Sequence, residues 1–161
     1  SPRDLKSTCE TSASIPAIQG CDYFIEVSGI RCHLDPDRSF GNKARGVDLW
    51  QDGEWVALDI NDRDTLYRVA VDSYVASLMN LLGGLTFDAI IIEPKLADGT
   101  VVEDTSTLLF DKDPETEGVQ ELKLWEAMIA YAETFPDEDG DGLPDIPESY
   151  LTGGERILGL D

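Results

Sequence analysis

Positive charge is scarce in this chain: 12 Lys and Arg stand against 33 Asp and Glu over 161 residues, a formal net charge of −21. A surface of that sign repels phosphate backbones and anionic headgroups, which excludes nucleic acids and membrane surfaces as expected partners. Long apolar runs are missing too. Stretches such as Ala89 to Ile92 are strand-sized, far short of the roughly 18 residues that span a bilayer, so the chain reads as soluble. There is no Gly-x-Ser-x-Gly elbow, no phosphate loop and no Cys/His dyad, and the one histidine, His33, reads as ordinary surface on the polar face of a strand. Cysteine is limited to Cys9, Cys21 and Cys32, with no Cys-x-x-Cys, which argues against a zinc or redox site. Alternation in "IRCHLD" puts Ile30, Cys32 and Leu34 on one face, so Cys32 reads as a small buried apolar residue. Cys9 and Cys21 are then the expected pair, with three free thiols as the alternative. An initiator Met and the basic and apolar regions of a signal peptide are also lacking, so the sequence reads as a piece excised from a longer product.

What is present is ordinary for a folded domain, 42% hydrophobic by composition. Residues 1–21 are polar, contain Pro2 and Pro16 and lack periodicity; they read as an arm preceding one α+β domain over 22–161. Short segments rich in β-branched and aromatic residues ("DYFIEVSG", "IRCHLD", "ARGVDLW", "EWVALDI", "LYRVAV") predict a mixed sheet, with a hairpin turning at Asp52-Gly53. "DSYVASLMNLLGG" predicts a short internal helix capped by Asp72 or Ser73 and stopped at Gly83-Gly84. "TFDAIIIEP" reads as a central strand and "LADGTVVED" as a turn into another. "DPETEGVQELKLWEAMIAYAETF" predicts a long C-terminal amphipathic helix, its stripe of Leu122, Trp125, Met128, Ile129, Ala132 and Phe135 turned to the core.

That helix leads into "DEDGDGLPDIPE", residues 137–148, whose carboxylates repel one another unless a cation sits among them. Asp137, Asp139, Asp141, Gly142, Asp145 and Glu148 occupy positions 1, 3, 5, 6, 9 and 12 of an EF-hand-like calcium loop, with the Leu143 carbonyl at position 7. Calcium takes six to eight oxygens, alternate side chains converge on one centre, and the glycine permits the sharp turn. Pro144 and Pro147 depart from the helical exit of an EF-hand, so no regular exiting helix is expected; the loop equally resembles those of extracellular repeat proteins. A single loop and two Met argue for a structural ion and against a sensor.

The succession "YFIEVSGIRCHLDPDRSFGNKARGVDLW", then "LYRVAVDSYVASLMNLLGG", and "GERI" near the end resembles the C-terminal domain of the 5'-nucleotidase and UDP-sugar hydrolase family over residues 23 to 85. The resemblance implies a secreted or periplasmic nucleotide-recognition domain that follows an N-terminal two-metal phosphoesterase domain. It places Tyr74 as a ring that stacks on the nucleobase and Asn80 as a neighbouring substrate contact. The chain departs from the family where Leu78 to Leu81 replace a Gly-Gly-Asp-Gly turn, and Tyr74 is alternatively a core tyrosine with its hydroxyl at the surface. With one histidine the chain lacks the ligand set of a two-metal site, so catalysis is not expected from it alone. The alternative function is a calcium-stabilised extracellular structural or interaction module that does not bind nucleotide.

Overall fold

The computed structural model describes residues 1–16, 20, 25–151 and 157–158, apart from the side chains of Asn80, Ser149, Leu151, Ile157 and Leu158. The class is α+β. The chain divides into two units, Ser1–Thr105 with Glu155–Asp161, and Ser106–Gly154.

The first unit is a helix on a sheet. Helix α1 spans Pro2–Ser14, with proline in its first turn and Ser1 at its N-cap. Over Pro2–Ser14 the expected arm is therefore a helix, and its polarity concealed it. Besides Leu5 and Cys9 it buries Glu10, Thr11, Ser12 and Ser14, so no apolar stripe marks the sequence. Each of these polar groups has a partner, as burial demands. The Glu10 carboxylate accepts from the Ser14 hydroxyl and from the Ala44 N–H, and the Ser12 hydroxyl donates to the Ile25 carbonyl at 2.9 Å. Thr11 donates to the Ser7 carbonyl at 2.9 Å.

The sheet contains β1 (Ile30–Leu34), β2 (Ala44–Gln51), β3 (Glu54–Ala57) and the two-residue β4 (Ile157–Leu158), in the order β3-β2-β1-β4. The first three strands are antiparallel; β4 runs parallel to β1, with Cys32 opposite Ile157. The β2–β3 hairpin turns at Asp52 and Gly53, with φ of 51° and 90°, as two-residue turns between right-twisted strands require. Ile30, Cys32, Leu34, Ala44 and Val47 form a core with Leu5 and Cys9 of α1. A disulfide joins Cys9 to Cys32 across that contact, Cα to Cα 5.6 Å. Cys32 is buried as its alternation predicts, but it and not Cys21 is the partner of Cys9, because both occupy facing core positions. Cys21 lies outside the described residues.

Helix α2, Ser73–Leu85, starts as expected: Asp72 caps it by accepting from the Val75 N–H at 2.9 Å. Its Leu82 joins Ile15, Ile90 and Ile92 in a second small core. The predicted central strand over 86–94 is absent. Phe87 and Asp88 take positive φ (52° and 62°), which ends extended structure before the isoleucines are reached. Residues 66–71 and 25–29 are not strands either, although Trp50 N–H donates to the Gly29 carbonyl at 2.8 Å; residues 22–24 lie outside the described set. The turn expected at 96–100 is present, with Gly99 at φ 88°, but the strand expected after it is reduced to an isolated bridge from Lys95 to Val101.

In the second unit the long helix shortens to α3, Leu124–Ala132. Its expected N-terminal half is a loop closed by the bridge between Asp111 and Glu121, with Asp113 accepting from the Thr116 hydroxyl and Gly118 at φ 89°. Asp, Pro and Gly compete there for turn geometry and win. The expected core stripe is also corrected: Trp125, Met128 and Ile129 are exposed. None of the described residues of this unit is buried. A single helical turn, α4 (Glu148–Leu151), follows the acidic loop.

Candidate metal centre

The acidic loop leaves α3 through Phe135 and Pro136, and its backbone is wound around its own carboxylates. Asp137 accepts from the N–H groups of Gly140 at 2.7 Å and Gly142 at 3.0 Å. Asp139 accepts from Asp141 N–H at 3.0 Å, and Asp141 in turn from Leu143 N–H at 2.8 Å. Asp145 reaches back to the Glu138 N–H at 2.7 Å, while its own N–H donates to the Pro136 carbonyl at 2.8 Å. These bonds need the chain to reverse twice within a few residues. Gly140 and Gly142, at φ 78° and 89°, permit it where a Cβ would strain the backbone.

One oxygen each from Asp137, Asp139 and Asp145 lies within 4.8 Å of the others. Oxygens on opposite sides of one calcium ion stand about 4.6 to 5.2 Å apart; the three carboxylates are close enough together to share a metal ion. Of the six expected ligands the structure thus brings three together. Asp141, Leu143 and Glu148 are exposed and outside this triad, with Glu148 opening α4.

The loop's two flanks are tied by aromatic rings. Tyr131 and Phe135 on the incoming side meet Tyr150 of α4 at centroid distances of 6.4 and 5.5 Å, Tyr131 and Phe135 lie 5.1 Å apart, and the two tyrosine hydroxyls share a hydrogen bond. Edge-to-face and tilted contacts of this kind contribute about 0.5 to 1.5 kcal/mol each.

The residues implied by the nucleotidase resemblance are on α2. Tyr74 is 65% exposed in its first turn, which removes the core-tyrosine alternative, and among the described residues no ring packs against it. Asn80 is on the same helix, its side chain outside the described residues.

Sequence reasoning missed a polar cluster on the sheet. Arg31 and His33 of β1 both bond Asp48 Oδ2 on β2, His33 at 2.8 Å, and the Arg31 guanidinium stacks 4.9 Å from the Trp55 ring centre. Burial would raise the Asp48 carboxyl, but bonds from His33 and Arg31 and their charges outweigh it and hold Asp48 below the usual carboxylate range. The signal was the opposition of "RCH" and "VDL" once the strands pair antiparallel, with Arg31 opposite Asp48. The cluster holds β1 to β2.

Comparison with known proteins adds no relative: no family model matches the chain, and neither a curated protein nor a solved structure matches it.

Proposed function

We propose that the chain is a calcium-stabilised module of a secreted or periplasmic protein, with a structural or interaction role, whose second unit is ordered by an ion in the 137–148 loop. The observation that supports this most is a mismatch within Ser106–Gly154. No described residue there is buried and thirteen Asp and Glu stand against two Lys, yet Asp137, Asp139 and Asp145 converge to within 4.8 Å. A segment of about 50 residues has too little interior to offset its chain entropy by burial, and natural domains of that size rely on disulfides, metals or partners. A bound dication supplies two positive charges where the loop has only negative ones. Asp137, Asp139 and Asp145 would hold it, with Asp141, the Leu143 carbonyl and Glu148 drawn in to complete the shell. The Cys9–Cys32 disulfide supports an oxidising compartment, where sites with dissociation constants of roughly 10⁻⁴ to 10⁻³ M are adequate for calcium.

A second reading, a nucleotide-recognition domain of the 5'-nucleotidase type, is favoured by the accessible ring of Tyr74. One calorimetric experiment addresses both. Titrating the chelator-stripped chain with calcium should give one site that magnesium fills poorly and Asp139→Ala removes; no heat and no calcium by elemental analysis would rule out the first reading. Titration with adenosine and uridine monophosphates should give at most millimolar binding, since stacking on one ring is worth about 1 to 3 kcal/mol. Saturation that Tyr74→Ala abolishes supports the second reading, and its absence removes it.

A further inference from the structure

Helix α3 is attached by its polar side and, at one edge of its apolar arc, by Tyr131, which meets Phe135 and Tyr150. At 3.6 residues per turn, Tyr131, Leu124, Met128, Ala132, Trp125 and Ile129 follow one another around an arc of roughly 160°. The large members of this arc are open to solvent: Leu124 is 64% exposed, Trp125 62%, Met128 64% and Ile129 52%. On the opposite arc Glu126 and Ala127 are half-buried. Glu126 is held there by an ion pair with Lys112 and by accepting from the Lys123 N–H at 2.9 Å. A helix of this pattern ordinarily turns its apolar arc inward; here the Lys112–Glu126 pair draws the opposite arc toward the chain, while the Lys123 N–H bond caps the helix's own first turn.

The surroundings select what fits on that arc. Residues 106 to 154 contain thirteen Asp and Glu and two Lys, and both lysines are engaged, Lys112 with Glu126 and Lys123 with Glu121. Glu133 borders the arc one turn beyond Ile129. A second copy of the chain would bring the same negative field against itself, as would a nucleic acid or an anionic membrane. A basic partner with an apolar stripe satisfies both features. We propose that the exposed face of α3 is a docking surface for a cationic amphipathic helix of another protein, laid with its apolar stripe on Leu124, Trp125, Met128 and Ile129 and its Lys or Arg residues toward the acidic surround. The patch and the excess of acid are independent of the ion in the 137–148 loop, since one dication leaves the unit strongly negative.

The test is titration of the full chain, calcium present, with a synthetic peptide of about 14 residues that places Leu and Lys at helical spacing, in about 0.15 M salt. The control is a scrambled peptide of the same composition. The ordered peptide should bind at least about tenfold more tightly than the scrambled one, and the double variant Met128→Ser, Ile129→Ser should lose at least about tenfold while keeping its circular dichroism. Both substituted side chains are exposed, so the variant tests docking and not folding. Equal binding of the two peptides would reduce the effect to net charge and overturn the proposal, as would undiminished binding to the variant. So would a homodimer in sedimentation that the same variant dissolves, because the occupant would then be a second copy.

Discussion

The two units of this chain are stable for different reasons. Ser1–Thr105 has an interior: Leu5, Cys9, Ile30, Cys32, Leu34, Ala44 and Val47 close between helix and sheet, and a disulfide crosses the same contact. Ser106–Gly154 has none among its described residues; it is held by turns, ion pairs, a trio of rings and carboxylates that bond their own backbone. The first unit's stability therefore depends mainly on apolar burial, which chelators change little. The second depends on charge, which ions and salt change directly.

The largest separation of the two should come from Cys9→Ser. A cross-link over 23 residues restricts the unfolded chain by about 3 kcal/mol, so the first unit should melt lower by on the order of 10 °C while the second is unchanged. A loss under about 1 kcal/mol would mean that the Glu10 contacts, and not the disulfide, fix α1. Chelation should do the reverse. With free calcium at about 100 times its dissociation constant, removing it costs about 2.7 kcal/mol, and hydrogen exchange should accelerate at the Gly140, Gly142 and Asp139 amides but not in β2 or β3. Equal acceleration in both units would make them one cooperative body. The smallest effect belongs to pH. The folded-state value of Asp48 lies below 3.8, so its contribution to the first unit is complete above that pH and fades as pH falls through the folded value. The melting-temperature gap between wild type and Asp48→Asn should therefore narrow from pH 6 to pH 3; a constant gap would show that the Asp48 charge does not matter.

The parts of the fold legible in the sequence were those whose signals are local. Alternation marked β1, β-branched and aromatic content marked β2, Asp52-Gly53 marked the hairpin, and Asp72 marked the start of α2. Helix α1 was not legible because its inward residues include Glu10, Thr11, Ser12 and Ser14, whose partners, such as the Ala44 N–H, are distant in sequence. "AIII" imitated a strand, but Phe87 and Asp88 turn the backbone first, and Ile90 and Ile92 pack singly against Leu82. In the acidic loop, spacing placed Asp137, Asp139 and Asp145 together because their convergence is set within the segment. The outward turn of the α3 stripe was not legible, since it depends on where Lys112 draws Glu126.

The short strand β4 gives the second unit a particular place in the chain. Because β4 pairs with β1, the polypeptide leaves the first unit at Thr105 and comes back to it after Gly154, so Ser106–Gly154 is an excursion with both ends tethered. Closing a flexible loop of about 50 residues costs about 3 to 4 kcal/mol from its length term alone, and two paired residues offer little against that. If the excursion is compact, the returning segment is presented to β1 at high effective concentration; if it is expanded, the strand is diluted away from its partner. Whatever orders the acidic loop thereby governs the sheet edge at Cys32 and His33 through chain connectivity, with no contact between the units required.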